Sequence, residues 1–215
     1  MASVAVGVDF GSQYVKLAKL RKRGQHLVIE RLVKLARNDG EVLSKLHASG
    51  ARATKAVMGI PGRGAILRYT TVPPVPSYRL KMIVEYEIGE LVAKSNEAVS
   101  SDFRVLNVPR EISADFTVMV AMSKDDFVLN YMSELQAGGV GVSDAIPTPL
   151  AVYNAFLALN VAQEDANYLV VDIGATNVDI AITGGRELYY ARSIGRGADE
   201  FTEAISCLLY TSPSP

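Results

Sequence analysis

The chain has 215 residues, 49% of them hydrophobic and 21% charged, enough for one large or two small globular domains. Its 22 basic and 23 acidic residues leave a formal charge of −1, which gives no support for a nucleic-acid footprint. No apolar run reaches the ~18 residues of a membrane span, the N-terminus lacks the layout of a secretion signal, and the lone Cys207 rules out an intramolecular disulfide or a cysteine-based metal cluster, so a cytosolic protein is the plain reading.

In chain order, the sequence predicts three antiparallel strands at Val4–Asp9, Tyr14–Leu20 and Leu27–Leu35. The basic cluster Lys16, Lys19, Arg21, Lys22 and Arg23 runs into Gly24 and reads as a solvated hairpin tip. A short helix at Glu41–Ala48 and a buried strand at Ala56–Ile60 follow. After Pro61-Gly62 comes a strand at Ala65–Val72, then Pro73-Pro74-Val75-Pro76, an extended connector that cannot join a central ladder. Leu80, Val84, Ile88 and Leu91 place a helical stripe on Tyr78–Lys94. Strands at Phe103–Val108 and Phe116–Met122 lead to a helix with Ser123 as N-cap, Phe127, Tyr131 and Leu135 on one face, and Gly138-Gly139 as its stop. Residues 62–141 thus read as an α+β insertion. The main pattern resumes with a strand start at Val140–Val142, a loop at Asp144–Pro149 and a helix at Leu150–Leu159. A second meander, Tyr168–Asp172, Val178–Thr183 and Leu188–Ser193, precedes a helix starting near Asp199. The last nine residues, Cys207 to Pro215, break into Ser/Pro alternation like the translation of a sequencing adaptor and read as a non-native tail.

One pattern occurs twice. Val8-Asp9-Phe10-Gly11-Ser12-Gln13 is echoed by Val171-Asp172-Ile173-Gly174-Ala175-Thr176, each time between the first two strands of a meander. A tight glycine turn exposes successive N–H groups that make an anion site without a side-chain cation. Ser12 and Thr176 add rotatable hydroxyl donors, and Lys16 can set a point charge near a β- or γ-phosphate. Asp9 and Asp172 suit a Mg²⁺ that keeps its water between carboxylate and phosphate. Asp-x-Gly is also an ordinary hairpin signal. Two aligned copies favour a nucleotide cleft over two unrelated turns, with a plain interaction module as the competing reading.

These motifs resemble those of the actin and sugar-kinase superfamily, and within it most resemble the PilM family of type IV pilus assembly, which is related to the division protein FtsA. The resemblance rests on GVDFGSQYVKLAKL, LRYTTVPPVPSYRLKMIVEYEIGELV, FTVMVAMSKDDFVLNYMSELQAGGV, LVVDIGATNVDIAI and IGRGADEFTEAI, spread over residues 6–205. It implies an α/β, actin-like (ribonuclease H-like) nucleotide-binding domain at 1–61 and 142–165, an inserted α+β subdomain at 62–141, the start of a second, incomplete actin-like domain at 166–206 and the non-native tail at 207–215. It implies ATP and Mg²⁺ held by Asp9, Gly11, Ser12, Gln13, Tyr14 and Lys16 of the first motif and Asp172, Gly174, Ala175, Thr176 and Asn177 of the second, with Asp9 and Asp172 on the metal through water. The implied partner is the N-terminal cytoplasmic peptide of a PilN-like inner-membrane protein, lying in a groove between the first subdomain and the insertion, with Leu67–Val72 and the Tyr78–Leu91 helix face as candidate walls. The protein would then be cytoplasmic and peripheral to the inner membrane through that partner. Self-association stays open, as do an FtsA-like division role and a sugar or small-acid kinase activity. Active superfamily members carry Glu or Gln before the second motif, whereas Ile146 or Thr148 stands near that place here, and Thr148 reads as a helix N-cap. Losing a positioned base removes roughly 10²–10⁴-fold in rate, so no catalytic residue is assigned and at most a slow ATPase is expected. The adenine side of the cleft would lie in a C-terminal half absent from this sequence.

Overall fold

A computed structural model describes residues 4–24, 26–37, 42–48, 53–93 and 97–210. In chain order its elements are β1 (Val4–Phe10), β2 (Tyr14–Arg23), β3 (His26–Ala36), α1 (Val42–Ala48), β4 (Ala53–Ile60), β5 (Ala65–Val72), α2 (Ser77–Ala93), β6 (Val99–Leu106), β7 (Phe116–Lys124), α3 (Asp125–Ala137), β8 (Val140–Pro147), α4 (Thr148–Ala158), β9 (Asn167–Ile173), β10 (Val178–Gly184), β11 (Glu187–Ile194) and α5 (Ala198–Tyr210).

Five strands form the first sheet in the order β3-β2-β1-β4-β8, with β1 antiparallel to β2 and parallel to β4, and β4 parallel to β8. Strand periodicity of two sends Val6, Val8 and Phe10 of β1 and Val15 and Leu17 of β2 to one face, where they are buried with Leu46 of α1 and Leu135 of α3. The parallel β4–β8 pair needs a crossover, and α3 supplies it. Although α3 falls inside the stretch 62–141, it packs Phe127, Val128, Tyr131 and Met132 onto this first core.

The insertion is a three-stranded antiparallel sheet, order β5-β7-β6. The helical stripe of α2 buries Leu80 and Val84 and sets Ile88 against Val72, Val118, Val120 and Met122. That packing is the alternative use of the Tyr78–Leu91 face; it takes the stripe of Leu80, Val84 and Ile88 and leaves Tyr78, Met82, Ile83 and Tyr86 exposed.

The third sheet, β11-β10-β9, is antiparallel. Helix α4 follows β8 of the first sheet yet packs Tyr153 with Ala181, Leu188 and Ala191 of the third. The face of the first sheet away from α1 and α3 is correspondingly open: Ile29 and Leu32 are 58% and 68% exposed, and nothing lies within 4 Å of a Cβ placed on Gly7. On β9, Leu169, Val171 and Ile173 are exposed, while Val6, Val8 and Phe10, at the matching places of the repeated motif, are buried.

Several local expectations need correction. Asp144–Pro147 is not a loop but the end of β8, because Ala145, Ile146 and Pro147 pair with Met58, Gly59 and Ile60. Pro147 occupies the N-cap of α4 and Thr148 is its first helical residue, so Thr148 is not the cap. Ser123 is not an N-cap either; it lies in β7, and its hydroxyl donates to Gly64 O at 2.6 Å. Helix α3 starts at Asp125 without a side-chain cap, and Asp125 and Asp126 favour its first turn through the helix dipole. β6 begins at Val99 rather than Phe103, since Ser100, Ser101 and Asp102 pair with Ser123, Met122 and Ala121. Helix α5 continues to Tyr210, into the stretch read as a tail. Glu41 and Lys94, expected helix ends, lie outside the described residues.

Candidate functional site

The first turn joins β1 to β2. Asp9 stands opposite Lys16 in the register, and Lys16 Nζ donates to Asp9 Oδ2 at 2.8 Å. That bond raises the Lys16 pKa, against an opposing effect of burial. A Cβ on Gly11 would lie 2.9 Å from Tyr14 O, so only glycine fits. Ser12 and Gln13 are exposed, and neither gives its backbone N–H to a backbone carbonyl among the described residues. Tyr14 has its ring under the Lys34 ammonium, 4.0 Å from Nζ to the centroid.

The second turn joins β9 to β10. Gly174 N donates to Asn177 O at 2.9 Å, and a Cβ on Gly174 would also lie 2.9 Å from that oxygen. The backbone N–H groups of Ala175, Thr176 and Asn177 have no backbone acceptor among the described residues. The carbonyls of Gly174 and Ala175 point the other way and accept from Ala198 N and Asp199 N of α5, each at 2.9 Å. Asp172 is exposed at the end of β9 and stands opposite Asp179 of β10.

The two turns meet. Gln13 Nε2 donates to Asp199 Oδ1 at 2.9 Å, and the Asp172 carboxylate contributes to the raised Lys16 pKa. A Cβ on Gly59 of β4 would stand 3.2 Å from Thr148 Cγ2, and one on Gly62 would strike Ser193 at the end of β11. The carboxyl ends of β4 and β8 therefore approach the start of α4 and the end of β11, on the side where an open α/β sheet usually takes its ligand. Of the sequence-derived set, Asp9, Gly11, Ser12, Gln13 and Lys16 lie on or beside the first turn and Asp172, Gly174, Ala175, Thr176 and Asn177 on or beside the second; Lys16 and Asp172 are the pair that links them, while Tyr14 is turned to Lys34. Glycines that admit close approach and unclaimed N–H groups suit a phosphate. The hard oxygens of Asp9 and Asp172 suit a hydrated Mg²⁺; among the described residues no three His, Cys, Asp or Glu side chains form a direct metal cage.

Two residues of this cleft escape sequence reading. Asp179 is only 3% exposed and accepts the Ser193 hydroxyl. Burial raises its pKa, the Ser193 hydroxyl partly offsets the rise, and Asp172 adds to it. Its position in the inward-facing series Asp179, Ala181, Thr183 was the available signal. Arg37 beside the first turn has no motif around it. For Asp179 the folded state favours the neutral acid, a contribution complete below the ordinary aspartate value of 3.8 and lost as pH rises through the raised one. Asp179→Asn is accordingly expected to be more stable than the parent at pH 7 and to lose that advantage near pH 4, read as the pH dependence of Tm.

Behind the cleft, a cavity of about 560 Å³ separates the insertion from the first subdomain. Ser100–Arg104 of β6, Met119 and Ala121 of β7, and Asp144, Ala145 and Pro147 of β8 line it, with Tyr153 and Asn154 of α4. Neither 67–72 nor α2 contributes to its wall. The insertion is fastened to the third sheet by Tyr69, whose hydroxyl donates to Ala191 O at 2.7 Å, accepts from Ala191 N at 2.6 Å, and whose ring stacks on Tyr190 at 4.7 Å. Burial pushes its pKa to about 12, so this contribution persists below pH 10 and is lost as pH rises through 12. Tyr69→Phe leaves both Ala191 groups unpaired and is expected to cost about 1–3 kcal/mol, a fall in Tm of about 3–10 °C.

A family model described as Type IV pilus assembly protein PilM matches residues 7–210. Comparison with curated proteins gave no match. Among solved structures, the chain is similar to the PilM-PilN type IV pilus biogenesis complex, with a TM-score of 0.76 and 22% identity over 97% of this chain and 66% of that one. It is also similar to the cytoplasmic domain of EpsL, an inner membrane component of the type II secretion system of Vibrio cholerae, with a TM-score of 0.57 and 17% identity over 98% of this chain and 76% of that one. The chain thus spans just under two thirds of the PilM-PilN chain that it matches. The fold is actin-like.

Proposed function

We propose a function from one premise: the chain belongs to the family of type IV pilus assembly protein PilM. It acts as an actin-like scaffold of the pilus assembly platform, binding ATP with Mg²⁺ between its two glycine turns and a PilN-like peptide in the cavity beside the insertion. The observation that carries the nucleotide half is the pair of facing turns, each with an excluded Cβ and N–H groups without backbone acceptors. Asp9 and Asp172 would hold the hydrated Mg²⁺, which would supply charge neutralisation for the phosphates when bound. Ser12 and Thr176 offer hydroxyl donors, and Lys16, now paired with Asp9, stands within reach of the same space. Near the expected position of a water-orienting acid stand Ile146 and Thr148, neither with a carboxylate, and this supports slow turnover at most.

The partner half rests on the cavity and on the similarity to a complex that contains PilN. Its wall offers the exposed Asp102, Arg104, Asp144 and Asn154 to a peptide backbone, with apolar Met119 and Ala121 beneath. Among the described residues no helix is long and apolar enough to cross a membrane; in this reading the protein is cytoplasmic and reaches the inner membrane through the peptide. The family match does not favour the division-protein or kinase readings.

Each half has its own test. At a hundredfold excess over Kd, Mg·ATP is expected to stabilise the protein by about 2.7 kcal/mol, raising Tm by about 5–10 °C. A labelled N-terminal peptide of a PilN-like protein is expected to bind with an anisotropy change that Ala145→Arg, which crowds the cavity, weakens at least tenfold. Peptide affinity unaffected by Ala145→Arg would place the partner elsewhere.

A further inference from the structure

Arg37 follows β3 immediately and is half-buried against the first turn. Its backbone N–H donates to Gln13 O at 2.8 Å. Its guanidinium donates through Nη1 to Gly11 O at 3.3 Å and through Nη2 to Tyr131 Oη at 3.4 Å. The same group lies 5.1 Å from the Phe10 ring centre and 5.2 Å from that of Tyr131, and those rings meet edge-on at 4.8 Å. The fork is therefore fixed by two aromatic faces, one from β1 and one from α3, while one arm grips the turn.

The consequence follows from peptide geometry. In a trans peptide the carbonyl of one residue and the N–H of the next point in opposite directions in a single plane. Drawing Gly11 O towards Arg37 turns the Ser12 N–H the other way, and that N–H has no backbone acceptor among the described residues. The repeated motif shows the same device built differently. Gly174, the counterpart of Gly11, has its carbonyl held by Ala198 N of α5, which turns the Ala175 N–H away in the same sense. In the second half a helix N-terminus does this; in the first half, an arginine side chain does.

We propose that Arg37 is a positioning residue of the phosphate site: it pins the Gly11 carbonyl so that the Ser12 N–H is pre-aimed at a nucleotide phosphate. This rests on the nucleotide reading above. A donor fixed before the ligand arrives loses no freedom on binding, which is why the effect falls on affinity for the charged part of the ligand.

The test compares, each in the full-length protein, Arg37→Met and Arg37→Lys with the parent in three measurements: Kd for Mg·ATP, Kd for adenosine, and hydrogen exchange of the 10–14 segment without nucleotide. Arg37→Met is expected to raise Kd for Mg·ATP about tenfold, leave adenosine within about twofold, and speed exchange in that segment about tenfold. Arg37→Lys, which keeps charge but not the fork, is expected to fall between. Unchanged Mg·ATP affinity in a folded Arg37→Met protein overturns the proposal, as does an equal loss for Mg·ATP and adenosine, which marks general damage. Unchanged exchange in both variants overturns it without touching the nucleotide reading. A parent that binds no Mg·ATP overturns the nucleotide reading itself and this role with it.

Discussion

Gly197→Ala is expected to weaken Mg·ATP binding at least about tenfold and to lower Tm by about 5–12 °C. A Cβ at this position would strike the carbonyl oxygen of Ala175 and stand 2.6 Å from that of Gly174. Both obstacles are backbone, so no side chain can rotate away. The clash separates α5 from the second turn and breaks the bonds from Ala198 N to Gly174 O and from Asp199 N to Ala175 O. Overpacking and two lost backbone bonds together amount to about 2–4 kcal/mol. The turn also loses the contacts that aim its free N–H groups, which is why affinity falls along with stability. Thermal denaturation and a nucleotide titration on the same variant check both parts. A stable protein with parental affinity would mean that α5 does not brace the site.

Leu135→Ala is expected to cost about 2–5 kcal/mol, or about 5–15 °C in Tm. Leu135 is completely buried and belongs to the same cluster as Val8, Phe10, Leu17 and Met58. The substitution also locates α3. If α3 is part of the first core, hydrogen exchange should accelerate in β1 and β4 while β5 to β7 keep their protection. Acceleration confined to the insertion would assign α3 there instead.

Much of this architecture is legible because its elements have strong periods. The alternation of β1 and β2, the 80-84-88 stripe of α2 and the meander of β9–β11 are local signals that tertiary packing then used. The misread places are those where local chemistry and pairing disagree. Ser100-Ser101-Asp102 is a poor strand sequence, yet it pairs because β7 offers an edge. Asp144–Pro147 carries a loop-like composition and is nonetheless the fifth strand of the first sheet, drawn in by β4. Ser123 satisfies the pattern of a helix cap but is claimed first by Gly64 O. In the cleft, the repeated turns were visible in sequence because each glycine is required at one fixed place. Asp179 and Arg37 were not, since a single buried acid and a single arginine after a strand become informative only through Ser193, Gly11, Phe10 and Tyr131, which are distant in the chain and adjacent in the fold.

The central claim, that the two Asp-x-Gly turns form one nucleotide site, is tested most directly by titrating the protein with a fluorescent ATP analogue in Mg²⁺, beside Asp9→Ala and Gly174→Val. A Val side chain at 174 meets Asn177 O, and Ala at 9 removes both the carboxylate proposed to face Mg²⁺ and the partner of Lys16. Saturable binding by the parent, weakened at least tenfold by each substitution although they lie on opposite turns, is the predicted result. Affinity unchanged in both variants, or no binding by the parent, would contradict it.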